Sequence, residues 1–184
     1  MLPRSLQTPR LRLEATVPDH AAGLDEAIQS SMPELLEFMA WAPSSSPENS
    51  LDFTRRMAEK WDQLSDWTFT IFHAREVAGT ISLMGYQALF GLAEIGYWLR
   101  SDLCGQGLMT EAAQAVCDFG FDSIGLHRIE LRAALDNAGS LRIARKLGFK
   151  REGTLREAAW AQRGYLDEHI HGLLATERPW RSGS

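Results

Sequence analysis

The feature that most constrains this chain is the run Glu94-Ile-Gly-Tyr-Trp-Leu-Arg-Ser-Asp-Leu-Cys-Gly-Gln-Gly-Leu-Met-Thr-Glu-Ala. A β-favouring half, residues 93–100, passes through a loop at 101–107 into residues 109–121, where Ala112, Ala113, Val116 and Phe119 recur at helical spacing. The reading is strand, glycine loop, helix. The first N–H groups of such a helix have no partners within it, and glycines let a ligand approach the main chain closely. That combination makes a cradle for a pyrophosphate, although two glycines by themselves are equally compatible with a plain tight turn. No Gly-Lys-Ser/Thr follows, so it is not a Walker loop, and Thr110 stands where a dinucleotide fingerprint would carry its third glycine.

The remainder alternates between the two periods. A strand at 10–14 is followed by a helix that Pro18 and Asp19 start and that runs toward Ser30. A second helix is expected from Ser50 as N-cap, with Phe53, Met57, Trp61 and Leu64 along one face. Phe69 and Ile71, then Val77, Ile81 and Leu83, flank the polar turn 73–76 and read as a hairpin. Residues 128–134 form a further strand, 140–147 a short helix, and 149–155 and 166–174 closing strands. This order predicts an α/β (α+β) layered domain around one mixed, mostly antiparallel sheet flanked by helices.

Several classes are excluded early. The 184 residues suit one domain, which at this size buries roughly 70% of its unfolded surface. With 45% hydrophobic and 23% charged residues the composition is globular. The segment Ala42 to Asn49 is Pro/Ser-rich but too short to separate domains, so a single domain is expected over 8–180, with terminal segments 1–7 and 181–184. The formal charge of −5 and the lack of a long basic run argue against nucleic acid. No secretory leader or membrane span is legible, which leads to the expectation of a cytoplasmic protein. Cys104 and Cys117 are read as free thiols.

A second segment lies roughly 30 residues beyond the glycine loop: Arg128-Ile-Glu-Leu-Arg-Ala-Ala-Leu-Asp-Asn-Ala-Gly-Ser-Leu-Arg-Ile-Ala-Arg-Lys-Leu-Gly-Phe. Together with the Thr8-Pro-Arg-Leu-Arg-Leu opening, the Gly96-Tyr-Trp-Leu strand, the Gly105-Gln-Gly loop, Asn137-x-x-Ser and Leu147-Gly-Phe, it resembles the GNAT superfamily of N-acyltransferases. The resemblance is nearest to the branch of the ribosomal-protein N-terminal (Rim-type) acetyltransferases and spans about residues 8–180.

The resemblance implies acetyl-CoA as the acyl donor, no metal, and a fold in which the strands at 94–100 and 128–134 splay apart to admit the pantetheine arm. It places Trp98, Leu99 and Arg100 against that arm. Gly105, Gln106, Gly107, Leu108, Met109 and Thr110 would hold the pyrophosphate, Asn137 would hydrogen-bond the arm, and backbone N–H groups near Tyr97 or Leu99 would meet the acyl carbonyl. A homodimer is common in this branch. Two positions depart from the pattern: Asp102 stands where an Arg or Gln is usual, and Ala144 where many members carry an acidic tyrosine.

Direct attack of an amine on the thioester is the expected reaction, with a protein N-terminus or a small molecule as acceptor. Glu94 is the expected base, Glu130 the reserve, and Ser140 the proton donor to the leaving thiolate in place of the missing tyrosine. Each has a plainer alternative: the glutamates as solvent-facing strand residues, and Ser140 as a helix cap; Leu99 is as readily a core residue, and Asn137, at the start of a turn, can be only a cap. A succinyl donor, or a non-catalytic acyl-CoA sensor, stays open. His169 and His171 share a strand face but lack a third metal ligand. His127 sits at a turn. Arg142, Arg145 and Lys146 are either phosphate contacts or a solvated face, and Cys104 is either an acyl carrier or a small apolar turn residue. The acceptor groove is expected to be bordered by residues 31–50 and the loop at Trp160.

Overall fold

The structure is a computed structural model that describes residues 2–181. Residue 1 and residues 182–184 of the expected terminal segments lie outside those described. Strand β1 (Ser5–Gln7) pairs antiparallel with β2 (Leu11–Ala15), in which buried Leu11, Leu13 and Ala15 alternate with half-buried Arg12 and Glu14. A tight turn at Pro18–His20 leads into α1 (Ala21–Gln29), which buries Leu24, Ala27 and Ile28.

The short α2 (Met32–Phe38) has no counterpart in the sequence reading, because seven residues repeat too little to show a period. Helix α3 (Pro47–Asp62) starts earlier than expected. Its N-cap is Ser46, whose hydroxyl accepts the Asn49 N–H at 3.2 Å, and Pro47 fills the first turn, where no N–H is needed. Ser50 is buried inside the helix instead. Leu64 lies beyond its end, exposed and with φ of 55°.

Strands β3 (Trp67–His73) and β4 (Glu76–Gln87) form the expected hairpin. Its two turn residues, Ala74 and Arg75, have φ of 49° and 73°, the left-handed pair that matches the twist of the strands. After β5 (Leu92–Leu99) come α4 (Leu108–Asp118), β6 (Arg128–Ala134), α5 (Ala138–Lys146), β7 (Lys150–Ala161) and β8 (Gly164–Leu174). Helix α4 widens at Phe119–Ile124 into a π turn that Gly125, at φ of 81°, ends. Among the described residues no helix is long and apolar enough to cross a membrane.

The eight strands are ordered β1-β2-β3-β4-β5-β6-β8-β7, and every neighbouring pair is antiparallel except β5 and β6. Side chains of a strand point alternately to the two faces. On one face Ile95 joins Phe69, Ile81 and Leu83 in a core closed by Ala112, Ala113 and Val116 of α4 and by Ala144 of α5. Phe69 meets Trp61 and Phe119 edge-on, with ring centroids 5.0 and 5.2 Å apart. On the other face Trp98 packs with Leu24, Ala27 and Ile28 of α1 and Leu35 of α2.

The parallel ladder is short. Leu92 faces Arg128, Ala93 faces Ile129 and Glu94 faces Glu130, and the register stops there. β5 runs on to Leu99 and β6 to Ala134 without pairing to each other. The central strands are splayed, as the resemblance implied.

Candidate active site

The glycine loop is shaped by two backbone positions that side chains avoid. Gly105 and Gly107 have φ of 79° and 80°, and Gly107 is the residue immediately before α4. Having no side chain, Gly107 gives no cap to the helix, so the N–H groups of Leu108, Met109 and Thr110 lack intrahelical acceptors and share the positive end of the dipole. The side chains of Leu108 and Met109 are buried in the core, so only their backbone can serve a ligand here. Gln106 is tied into the loop by its amide, which donates to the Asp102 carbonyl at 3.1 Å.

The Thr8-Pro-Arg opening holds this loop from behind. Glu111, in the first turn of α4, accepts from the Thr8 hydroxyl at 2.6 Å, the Arg10 backbone N–H at 2.9 Å and the Arg10 guanidinium at 2.7 Å. The same guanidinium donates to the Gln106 carbonyl at 3.0 Å. Burial pushes the Glu111 carboxyl up, but these donors outweigh it and hold its pKa below the usual range.

Where β5 and β6 part, a cleft of about 1020 Å³ passes through the sheet. Glu94, Trp98, Asn137 and Ser140 line it, together with Tyr97, Arg132 and Glu168. Alternate N–H groups of β5 beyond Glu94 point to this gap, where no strand accepts them.

Glu94 is half-buried, with the Arg132 guanidinium 3.4 Å away. Burial raises its pKa; Arg132 opposes the rise, and the carboxylates of Glu168 and Glu130 add to it. Glu168, opposite Ala134 on β8, is likewise raised by burial against the pull of Arg132. Glu130 is held differently. Arg128 lies 3.1 Å from it and Arg132 3.7 Å, and Arg128 also pairs with Glu152. Its carboxylate belongs to an ion-pair network below the cleft mouth rather than to the cleft lining.

Across the gap, Asn137 caps α5 by accepting the Ser140 N–H on its Oδ1 at 3.1 Å. The plainer alternative of Ser140 as the cap is thereby overturned, and its hydroxyl donates to the Tyr97 hydroxyl at 3.1 Å instead. Burial pushes the Tyr97 phenol up to about 12.

The other expected contacts are distributed as follows. Trp98 is largely buried, its ring 6.0 Å from that of Trp41. Leu99 packs against the larger core. Arg100 is clamped by Asp102, through contacts of 3.0 and 2.9 Å, and by Glu76 at 3.0 Å. The Cys104 thiol lies 3.4 Å from the Arg100 carbonyl; burial first, then Glu34 and Asp102, push its pKa upward, away from the thiolate an acyl carrier needs. His127, Arg142, Arg145 and Lys146 are exposed. Among the described residues no group of three or more His, Cys, Asp or Glu is placed to hold a metal ion.

On the far side the cleft is walled by Phe38, Met39, Trp41 and Phe53. Arg163, at the turn between β7 and β8, fastens this wall to the opposite one. Its guanidinium sits 5.2 Å from the Phe38 ring centroid, donates to the Glu37 carbonyl at 3.1 Å, and grips both oxygens of Asp136 at 2.5 and 2.7 Å.

The acetyltransferase (GNAT) domain family matches residues 10–150. The uncharacterized N-acetyltransferase p20 of Bacillus licheniformis is 30% identical over 149 residues, covering 80% of this chain and 84% of that protein. This chain belongs to the GNAT acetyltransferase family. The ribosomal-protein-serine acetyltransferase of Escherichia coli is 34% identical over 106 residues, 58% of this chain and 59% of that one. RimL, a ribosomal-protein alpha-N-acetyltransferase solved with coenzyme A, superposes with a TM-score of 0.87, covering 94% of this chain and 97% of that one; at 23% identity this likeness concerns the fold.

As a GNAT enzyme the protein is an acetyl-CoA-dependent N-acetyltransferase, and its two departures from the family pattern acquire physical content. Asp102, which cannot donate to a phosphate, instead accepts two hydrogen bonds from Arg100 and so occupies that guanidinium. Ala144 is almost wholly buried on α5, so the space of the usual tyrosine is closed rather than vacant. Sequence reasoning missed the Tyr97 hydroxyl, Glu168, Arg132 and Arg163. The first three sit on strand faces whose mutual register no local pattern encodes, and Arg163 acts across a contact 126 residues long.

Proposed function

We propose that this enzyme passes the acetyl group directly from acetyl-CoA to a primary amine next to an apolar group, a protein N-terminus being the preferred class. The observation that carries the reading is the parting of β5 and β6 just beyond Glu94 and Glu130. It sets a carboxylate on one side of the gap and a hydroxyl on the other.

An acceptor ammonium enters along the aromatic wall of Phe38, Trp41 and Phe53 and meets Glu94, with Glu168 beside it. Glu94 takes the proton, directly or through a water. The neutral amine attacks the thioester carbonyl, whose oxygen is held by unpaired N–H groups of β5. Ser140 supplies the proton that lets the thiolate leave, a role supported by its hydroxyl being spared from capping duty. Asn137 keeps the start of α5 in place, and its amide nitrogen remains available to the pantetheine arm.

The test is release of free thiol from acetyl-CoA with a panel of N-terminal peptides and small amines. Turnover with apolar-flanked primary amines is expected; no thiol release with any amine would refute the reading. Ser140→Ala should lower kcat about 10²-fold while acetyl-CoA affinity is kept.

A further inference from the structure

We infer that Tyr97 is a positioning residue that backs Ser140, so that two hydroxyls in series deliver the proton to the departing thiolate. The inference rests on Ser140 as the donor proposed above. A serine hydroxyl is a poor acid on its own, because giving up its proton leaves an alkoxide. It donates well only if its oxygen is reprotonated in the same motion. In this fold the Tyr97 oxygen is the group placed to do so, 3.1 Å from Ser140 Oγ.

The contact is long-range and spans the splay. Tyr97 lies on β5 beyond the last residue paired to β6, whereas Ser140 lies in the first turn of α5, the helix that follows β6. Both line the cleft. Asn137 takes the Ser140 N–H, so the serine hydroxyl is left to Tyr97. One turn further along α5 stands buried Ala144, on the same helix face as Ser140. A phenol therefore reaches the serine from the strand instead of from the helix. The Tyr97 phenol, ordinarily protonated at neutral pH and pushed by burial to about 12, holds the proton that the relay passes on.

In the resting arrangement Ser140 donates to Tyr97, and rotation of both hydroxyls reverses the direction. As the N–C bond forms, the C–S bond breaks and its electron pair stays on sulfur. Sulfur takes the Ser140 proton, Ser140 Oγ takes the Tyr97 proton, and Tyr97 is restored from solvent. The acceptor ammonium loses two protons over the cycle; one is matched by the new S–H bond and one leaves to solvent.

The experiment is single-turnover acetyl transfer by wild type, Tyr97→Phe, Ser140→Ala and the double variant. Tyr97→Phe should slow transfer roughly tenfold, part of the about 10²-fold a positioned acid supplies. KM for both substrates should be unchanged. In the Ser140→Ala background the second substitution should cost nothing further, and the solvent isotope effect of the wild type should fit two protons in flight against one in Tyr97→Phe. A full rate for Tyr97→Phe, or the same loss in both backgrounds, overturns the relay. If Ser140→Ala keeps the wild-type rate, the donor reading itself fails, and a loss seen only in Tyr97→Phe would then make Tyr97 the direct donor. Difluorotyrosine at position 97, which keeps the hydroxyl and the packing, should retain the wild-type rate; a loss equal to that of Tyr97→Phe would count against the relay.

Discussion

Glu94 and Glu130 face each other across β5 and β6 as the last registered pair of the parallel ladder, and the strands part immediately beyond them. Two carboxylates at a point of divergence need cations, and Arg132 lies against both, at 3.4 and 3.7 Å. The pairing is unequal, since Glu130 also has Arg128 while Glu94 looks into the cleft.

This inequality separates their roles in the pH profile. A general base works only when ionised, so a pKa raised by burial moves the acid limb of kcat above the ordinary carboxylate range. Glu94→Gln should lower kcat about 10²-fold on the plateau and remove that limb. Glu130→Gln should keep the limb. An unchanged limb in Glu94→Gln, followed by steady-state rates across pH, would move the base to Glu168.

The glycine loop should fail at its backbone. Gly107→Val puts a β-branched side chain at φ of 80°, a conformation costing about 1–3 kcal/mol for such residues. Acetyl-CoA affinity measured by calorimetry should drop at least about tenfold, or roughly 1.4 kcal/mol, in a protein that still folds.

Glu111 links the N-terminal strand region to the same loop, and its pKa is depressed. Stability contributed by a depressed carboxyl is complete above its unfolded pKa and is lost as pH falls through the folded one. Glu111→Gln should therefore cost about 2 kcal/mol at neutral pH, with a Tm lower by about 4–8 °C. The deficit should shrink on acidification, which thermal melts at several pH values would show.

Arg163 should act on the acceptor rather than the donor. Removing its contacts to Phe38, Glu37 and Asp136 in Arg163→Ala loosens the aromatic wall. The acceptor KM should rise severalfold while acetyl-CoA affinity stays constant; an equal weakening of both would show that the clasp holds the whole cleft.

Ala144→Tyr should not restore the missing family residue. The site is 1% exposed, and overpacking of such positions costs about 1–3 kcal/mol. A lower Tm without any gain in kcat is expected.

Residues 94–112 by themselves determined a strand, a glycine turn and a helix whose first amides lack partners within it, because these follow from chemistry within a few residues of chain. The order of elements and the mostly antiparallel sheet were legible for the same reason. Strand β1, helix α2 and the cap at Ser46 escaped, the first two too short to show a period and the last shifted by a proline.

The site is a different matter, since Tyr97 touches Ser140 across 43 residues and Glu168 reaches the cleft through the register of β8 on β6. A one-residue slip in that register would turn Glu168 to the opposite face, and nothing local forbids it. What decides it is burial of Ile129, Leu131 and Leu173 on the core side, which leaves Glu94, Arg132 and Glu168 together on the other. The sequence by itself thus determined the strand, the glycine turn and the helix that follows it, and the packing of the sheet decided which carboxylates and hydroxyls meet in the cleft.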